Sequence, residues 1–310
     1  MSGTVLTIGK FDGVHAGHAY LLRQVVEIAR QLGLRPAAMT FDPHPACVVA
    51  PSRAPLPLMP LSDRIARIRE LGVEEVFVLN FTPEIAKLTP EEFVSQYVHG
   101  KLQARMVIVG RDFRFGNRQA GDPLVLAELG QSHGFETRLV DAVTLRGRIV
   151  STSEVRRLIG IGDVSLAGRL LGRPYAIEGD IVPGYGIGSR QTVPTLNLHT
   201  SAEILPLDGV YLTRTYDPGH RFDWNSITNI GMRPTFDGHA RTIETFLLGT
   251  IVGNGPARIR LEFLRRVREE RKFESPEALK AQILRDVGRA QAYFRRVTRW
   301  VAREGRPALP

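Results

Sequence analysis

The stretch Thr4-Val5-Leu6-Thr7-Ile8-Gly9-Lys10-Phe11-Asp12-Gly13-Val14-His15-Ala16-Gly17-His18 decides how the first half of the chain is read. Thr4 to Ile8 is a short β-rich run, followed by a glycine-bearing turn. From about His18 the spacing predicts a helix, with Leu22, Val25, Ala29 and Leu32 on one apolar stripe and Gly33 as its stop. A strand, a tight turn and a helix in that order form the place where an open parallel sheet binds phosphate. His15 and His18 straddle the helix start three residues apart, so both imidazoles can lean toward one anion. Gly17 lets the backbone approach a phosphate closely. A metal pair or a plain helix cap is the competing reading, but a metal needs a third ligand and none is nearby in sequence.

Outward from this stretch the alternation continues. Pro36 to Phe41 reads as a strand, Leu61 to Leu71 as a helix and Glu75 to Leu79 as a strand. Thr89-Pro90-Glu91-Glu92 has the cap, first-turn proline and acidic first turn of a helix start. Met106 to Val109 is a buried-type strand, and Asp122 to Leu129 a further helix. This order predicts an α/β domain, a parallel sheet covered on both faces with ligands at the strand carboxyl ends. Ala50 to Pro60 is Pro-rich and reads as an irregular loop.

From Arg173 the character changes. Tyr175–Val182, Val210–Thr215, Trp224–Ile230, Thr242–Leu248 and Ala257–Phe263 are short β-rich runs separated by Gly, Pro and Asp turns. They predict an all-β antiparallel sheet or small barrel. One long helix closes it, capped by Ser275 and opened by Pro276, with Leu279, Ile283, Val287, Ala290, Phe294 and Val297 on a shared face. Two glycine-bearing turns bracket a short helix-like segment at Gly160 to Gly172. The expected domains are therefore 1–160 and 173–310, with 161–172 as linker. Gly184, Gly186 and Gly188 alternate in a loop able to pass close to phosphates. Thr195 and Asn197, two apart on an extended segment, point to one face and offer oxygen ligands for a magnesium ion with ATP. An ordinary strand with two outward polar residues has equal claim at this point.

Composition narrows the classes. A chain of 310 residues exceeds one ordinary core, and 43% hydrophobic with 24% charged residues excludes wholesale disorder. Cys47 stands alone, which excludes an intramolecular disulfide or a multi-cysteine zinc site and fits a reducing compartment. The N-terminus lacks the signal-peptide pattern, and no apolar run approaches the ~20 residues of a membrane span. A soluble cytoplasmic protein is expected. The net charge is +9, with 19 Lys+Arg against 16 Asp+Glu over residues 1–160 and 22 against 16 over the rest. No helix-turn-helix, zinc-finger or RNA-binding signature accompanies it, so the excess reads as a solvated face of the last helix, not a nucleic-acid surface.

His-x-Gly-His after a first strand is the signature of adenylyl-transferring nucleotidyltransferases. The longer string Phe11 to His18 resembles the FMN adenylyltransferase module of the bifunctional riboflavin kinase/FAD synthetase family. Thr40-Phe41-Asp42-Pro43-His44-Pro45, Gly110-Arg111-Asp112-Phe113-Arg114-Phe115-Gly116 and Ser151-Thr152-Ser153-Glu154-Val155-Arg156 follow in the family's order. In the second half Gly172-Arg173-Pro174-Tyr175, Pro194-Thr195-Leu196-Asn197, Gly209-Val210-Tyr211, the segment from Asn229 to Phe236, Ile243-Glu244-Thr245 and the segment from Arg268 to Phe273 resemble its kinase module. The resemblance runs from Thr4 to about Phe294.

It implies a Rossmann-like nucleotidyltransferase sheet followed by a small β-barrel kinase, acting on ATP, riboflavin and FMN with Mg²⁺. His15 and His18 would hold the phosphates, with Gly9, Phe11 and Gly17 lining the ATP site. Arg156, with Ser151 and Ser153, would grip the leaving pyrophosphate bidentately. Asp112, Phe113, Phe115, Asn117 and Arg118 would line the flavin phosphate side, although Phe113 and Phe115 also read as plain core. In the kinase, Gly184, Gly186 and Gly188 would wrap ATP, Thr195 and Asn197 would hold Mg²⁺–ATP, and Arg268 and Arg271 would bind flavin. Glu244 would take the ribityl hydroxyl proton as general base, against a bland alternative as the ion-pair partner of Arg241 or Arg260. Three positions depart from the family pattern: Lys10, where asparagine is frequent; Gly188-Ser189-Arg190-Gln191-Thr192, which lacks a second glycine; and Phe246, where histidine is frequent. Two rivals remain, an FAD synthetase with a degraded kinase and a flavin- or nucleic-acid-binding regulatory protein.

Overall fold

The computed structural model describes residues 3–183, 195–219, 221–235, 238–251 and 255–304. The chain divides into two compact units, Met1–Thr152 and Ser153–Pro310.

In the first unit β1 (Thr4–Ile8) is buried along its whole length, which only a central strand covered on both faces requires. Helix α1 (Ala16–Leu32) leads to β2 (Arg35–Asp42), a short helix α2 (Pro45–Val49), α3 (Leu61–Glu70) and β3 (Glu75–Asn80). Then come α4 (Pro90–Phe93), β4 (Ala104–Gly110), α5 (Pro123–His133) and β5 (Glu136–Val140). The five strands are parallel in the order β3-β2-β1-β4-β5. Strand order reverses at β1, so the crevice for ligands opens beyond its carboxyl end, where Gly9 to His15 run. A hairpin, β6 (Thr144–Leu145) with β7 (Arg148–Ile149), closes the unit.

Helix α1 buries Leu22, Val25, Ile28 and Ala29, packed with Val5 and Ile108 on one side and with Ala38 and the α3 residue Ile68 on the other. Leu6, Ile8, Met39 and Val107 face the opposite layer, against Phe93, Val94 and Leu126. Leu32, expected on the α1 stripe, is exposed because the helix ends there, with Gly33 in the left-handed conformation donating to Ala29 and Arg30 carbonyls. Thr89 and Glu92 form a reciprocal capping box, as their spacing predicts, but after Phe93 the segment Val94–Lys101 continues as a π-helix.

The second unit opens with α6 (Thr152–Gly160), whose first residue lies at the division, and α7 (Val164–Leu171). α7 occupies most of 161–172 and buries Val164, Ala167, Leu170 and Leu171. Strands β8 (Tyr175–Val182), β9 (Thr195–His199), β10 (Gly209–Tyr216), β11 (Asp223–Thr235), β12 (Gly238–Leu247) and β13 (Arg258–Arg268) close into an antiparallel barrel in the order β10-β11-β12-β9-β8-β13. Closure removes every strand edge.

The barrel interior holds Tyr211, Phe263 and Leu261 together with a chain of buried hydroxyls. Thr215 bonds Ser226 (2.7 Å), Ser226 bonds Thr213 (2.8 Å), Thr213 bonds Thr228 (2.8 Å) and Thr228 bonds Thr245 (3.0 Å). Helix α8 (Pro276–Glu304) covers the outside of β10 and β11, where Ala290 and Phe294 pack on Val210, Leu212 and Ile227. Ser275 caps it, accepting from Ala278 N–H at 3.2 Å. The shared face differs from its apolar reading at the N-terminal end. Leu279 is exposed, and the buried positions one and two turns on are Gln282 and Asp286.

Both tryptophans, Trp224 and Trp300, belong to the second unit, so tryptophan fluorescence follows its unfolding. Thr213→Val leaves Ser226 and Thr228 each short of a partner and is expected to cost ~1–3 kcal/mol. Urea denaturation monitored by that fluorescence measures the loss, which a wild-type midpoint would exclude.

Candidate active sites

At the end of β1 the backbone bends through a left-handed run: φ is 50° at Phe11, 78° at Gly13 and 37° at Val14. Side chains with a Cβ resist this conformation, so it persists only where neighbours overdetermine it. Val14 N–H donates to the Phe11 carbonyl at 3.0 Å, and the Asp12 carboxylate accepts Leu58 N–H at 3.0 and 3.1 Å. The Pro-rich loop is thereby tied to the turn. Thr152 Oγ1 donates to the Asp12 carbonyl at 3.3 Å, and Thr40 Oγ1 to the Lys10 carbonyl at 3.0 Å.

This bend delivers the two histidines. His15 is the N-cap of α1, one turn earlier than the helix start read near His18, and its Nδ1 accepts His18 N–H at 3.2 Å. An accepting Nδ1 carries no proton, so the neutral His15 ring holds its proton on Nε2. The two rings stack at 3.6 Å and 11°, and the Phe11 ring meets His18 edge-on at 5.1 Å. A Cβ on Gly17 would stand 3.2 Å from the His15 ring, and one on Gly9 3.0 Å from the Phe11 ring, so both glycines keep the stack uncrowded. Burial, reinforced by His15 and then Lys10, holds the His18 pKa well below 6.5. His18 Nδ1 is buried with no hydrogen-bond partner. A neutral ring with an unspent nitrogen, beside the N–H groups of a 17-residue helix, suits an arriving anion.

The other first-half candidates fall into groups. Phe115 is buried in the core against Phe93, and Phe113 stacks on it at 5.4 Å with more exposure. Asp112, Asn117 and Arg118 are exposed on the same loop, where Asn117 N–H donates to the Leu88 carbonyl and Arg118 has φ of 52°. Ser151 is half-buried, while Ser153 and Arg156 sit in α6, exposed and half-buried respectively. Sequence reasoning passed over Arg64. It lies one turn before the buried Ile68 on the inward face of α3, and a charge on an apolar stripe was the available signal.

On the barrel, register aligns three polar residues. Asn197 of β9 pairs with Glu244 of β12, which pairs with Asn229 of β11. All three are half-buried and alternate with interior residues Leu196, Leu198, Ile243 and Ile230, so they share the outer face. Thr195 belongs to the same face and pairs with Phe246, the position where histidine is frequent. Arg241 pairs with Asp208 at 2.6 Å and Arg260 with Glu178 at 2.9 Å, so both arginines of the bland alternative engage other carboxylates. Gly184, Gly186 and Gly188, with Ser189 and Thr192, lie outside the described residues.

Arg268 and Arg271 hold the segment after β13 to α8. Arg268 pairs with Asp286 at 2.9 Å, Arg271 donates to Gln282, and both guanidiniums lie over the Phe273 ring, at 5.8 and 4.9 Å. Those bonds account for the buried polar positions of α8. Glu270 fills the space that a Cβ on Gly231 would need, and it accepts Met232 N–H at 3.3 Å.

A parallel sheet with a histidine pair at its first helix, followed by a six-stranded barrel with a carboxylate in an outer polar row, defines a two-domain enzyme of phosphate-transfer chemistry. The family model for FAD synthetase matches residues 1–154, and that for riboflavin kinase matches residues 171–294. The bifunctional riboflavin kinase/FMN adenylyltransferase of Escherichia coli strain K12 is 34% identical over 292 residues, covering 94% of this chain and 93% of its own. That of Pseudomonas fluorescens is 36% identical over 291 residues, and that of Bacillus subtilis 34% over 297, each covering 94% of this chain, and 93% and 92% of their own. A crystal structure described as a macrolide-efflux protein from Streptococcus pneumoniae superposes with a TM-score of 0.84 at 28% identity, over 94% of each chain. Among the described residues no helix is long and apolar enough to cross a membrane. The chain belongs to the bifunctional riboflavin kinase/FMN adenylyltransferase family.

The lowered His18 pKa has a sign for stability. Between the native value and the unfolded value near 6.5 the unfolded chain binds more protons, so stability falls as pH drops through that window and is flat above it. In the ligand-free protein the His18 ring is expected to titrate well below 6.5 by NMR, and His15→Ala to move that midpoint upward. A midpoint at the ordinary value would contradict the buried stack.

Proposed function

We propose that the second unit phosphorylates riboflavin to FMN with ATP and that the first adenylylates FMN to FAD, releasing pyrophosphate. One observation carries the reading: a single chain holds both the stacked His15–His18 pair at a helix N-terminus and the Asn197–Glu244–Asn229 row on a barrel. The catalytic modules are taken as 1–160 and 173–310, joined through 161–172. Small molecules are the partners, and the cytoplasm, where ATP and a reducing potential coexist, is the site of action.

In the first reaction an FMN phosphate oxygen attacks the α-phosphorus of ATP while the bond to pyrophosphate breaks. No covalent enzyme intermediate is needed, so catalysis rests on positioning and on neutralising developing charge. His18 is neutral when the site is empty. A polyphosphate beside it favours the protonated ring, so the site gains positive charge where the transition state needs it. His15, fixed by its cap to one tautomer, offers Nε2–H. Gly9, Phe11 and Gly17 shape the nucleotide cradle. Ser151, Ser153 and Arg156 are assigned to the leaving pyrophosphate by the motif they stand in. Asp112, Phe113, Asn117 and Arg118 line the flavin phosphate side, with Phe115 supporting them from the core.

In the second reaction Glu244 accepts the proton of the ribityl hydroxyl as that oxygen attacks the γ-phosphorus and ADP departs. Asn197 and Asn229 flank it in register and orient the reacting groups. Thr195 and Asn197 present oxygen donors on one face, a set that fits a hard divalent cation. Mg²⁺ bound there with ATP would neutralise phosphate charge. Gly184, Gly186 and Gly188 are assigned to the phosphates. Arg268 and Arg271, through Asp286 and Gln282, shape the flavin end beside α8.

Chromatography of flavins after incubation with riboflavin, ATP and Mg²⁺ tests the whole scheme, with FMN and then FAD expected. His18→Ala is expected to lower FAD formation from FMN by ~10²–10³-fold and leave riboflavin phosphorylation intact. Glu244→Gln is expected to do the reverse, by ~10²–10⁴-fold. Equal loss of both activities in either folded variant would refute the two-site scheme. FAD from supplied FMN without any FMN from riboflavin would reduce the chain to an FAD synthetase.

A further inference from the structure

Arg64 is only 7% exposed, yet no carboxylate among the described residues pairs with it. Its hydrogen bonds all come from one nitrogen. Nη1 donates to the Lys10 carbonyl at 3.0 Å and to the Phe41 carbonyl at 3.0 Å, with Thr40 Oγ1 at 3.2 Å. Nε is buried with no partner. A guanidinium held on three neutral oxygens loses hydration that no direct ion pair returns, and burial lowers its pKa against the weaker pull of the Asp12 and Asp42 carboxylates. Such a residue is out of place in a core unless its contacts matter.

Those contacts have a common target. Lys10 is the last residue before the left-handed run at Phe11, Gly13 and Val14, and its carbonyl receives both Arg64 and Thr40. Phe41 and Thr40 belong to β2, which is paired with β1. Arg64 therefore pins the entrance of the strained turn to the neighbouring strand. The exit is pinned separately, by Asp12 to Leu58 and by His15 to His18. With the entrance released, Phe11 can relax out of its left-handed conformation, taking its ring from the edge of His18. The stack would then lose one of its walls.

We propose that Arg64 is a positioning residue for adenylyl transfer, holding the Lys10 carbonyl so that the turn presents His15 and His18 in register with the triphosphate. The inference rests on the reading of the first unit as an FMN adenylyltransferase. It adds a residue on α3, 46 positions from His18 in sequence, whose hydrogen bonds go to oxygens of Lys10, Thr40 and Phe41.

Since one nitrogen makes all the contacts, a lysine ammonium with three donors is chemically able to replace it, whereas methionine of similar bulk is not. Arg64→Met is expected to lower kcat for FAD formation by ~10- to 100-fold, the scale on which small misplacements act. KM for FMN should stay within about threefold, because the loss falls on the transition state. Arg64→Lys should recover most of the rate. Thr40→Val, which removes the second donor to the same carbonyl, should give a milder loss in the same direction and serves if Arg64→Met folds poorly. Riboflavin phosphorylation by the same molecules is the internal control and should not change. Hydrogen exchange over residues 9–15 should quicken in Arg64→Met and return toward normal in Arg64→Lys.

Wild-type FAD formation in Arg64→Met would overturn the proposal, as would a lysine variant no better than methionine. A fall in FAD formation matched by equal falls in kinase activity and melting temperature would make Arg64 merely structural. Failure of the unmodified chain to adenylylate FMN would sink the assignment of the first unit instead. The exchange measurement would then still decide whether Arg64 holds the turn.

Discussion

The hydrogen bond from His18 N–H to His15 Nδ1 is where backbone structure and chemistry meet in the first unit. It caps α1, selects the His15 tautomer and brings two imidazoles into a stack at 3.6 Å. Two charged rings at that separation would repel, so the arrangement is stable only while at least one is neutral. Burial of His18 supplies that condition. The empty site therefore carries little repulsion within the stack, and on the function proposed above its charge rises when polyphosphate enters.

A comparable economy governs the barrel. Alternation along β9, β11 and β12 sends Leu196, Ile230 and Ile243 inward and Asn197, Asn229 and Glu244 outward. One register shift would reverse every one of those side chains. The interior hydroxyl chain from Thr215 to Thr245 makes such a shift costly, because each buried hydroxyl would lose a matched partner. The polar interior thus guards the geometry of the outer face. Arg268–Asp286 and Arg271–Gln282 fasten the end of β13 and the segment after it to α8, which explains why that helix buries two polar residues near its N-terminal end.

Much of this was legible in the chain. β1, α1 and their glycine turn carried both period and motif, and the capping residues Thr89 and Ser275 act as their spacing predicts. β5 escaped because it is an edge strand: Glu136, Arg138 and Leu139 are exposed, so no hydrophobic run marks it. The π-helix after Phe93 has no local signature, since it answers to packing of Phe93, Val94 and Val98 on the sheet. Arg64 and the Asp12–Leu58 tie were invisible for a related reason. Their partners lie 23 to 54 residues away and are backbone groups in all but the Thr40 hydroxyl, and a backbone group leaves no trace in side-chain identity.

The sequence by itself pointed to the class of chemistry, because the strand, turn and helix start that carry His15 and His18 are local, and because the ordered motifs of both halves resemble one family. It also determined the order of domains, through the change of hydrophobic period near Arg173. Only the tertiary structure decided which groups meet. Asn229, Glu244 and Asn197 come from three strands, and Lys10, Thr40 and Arg64 from three separate elements. Such meetings depend on strand register and helix packing, which arise from burial of the whole core and are not encoded in any one segment.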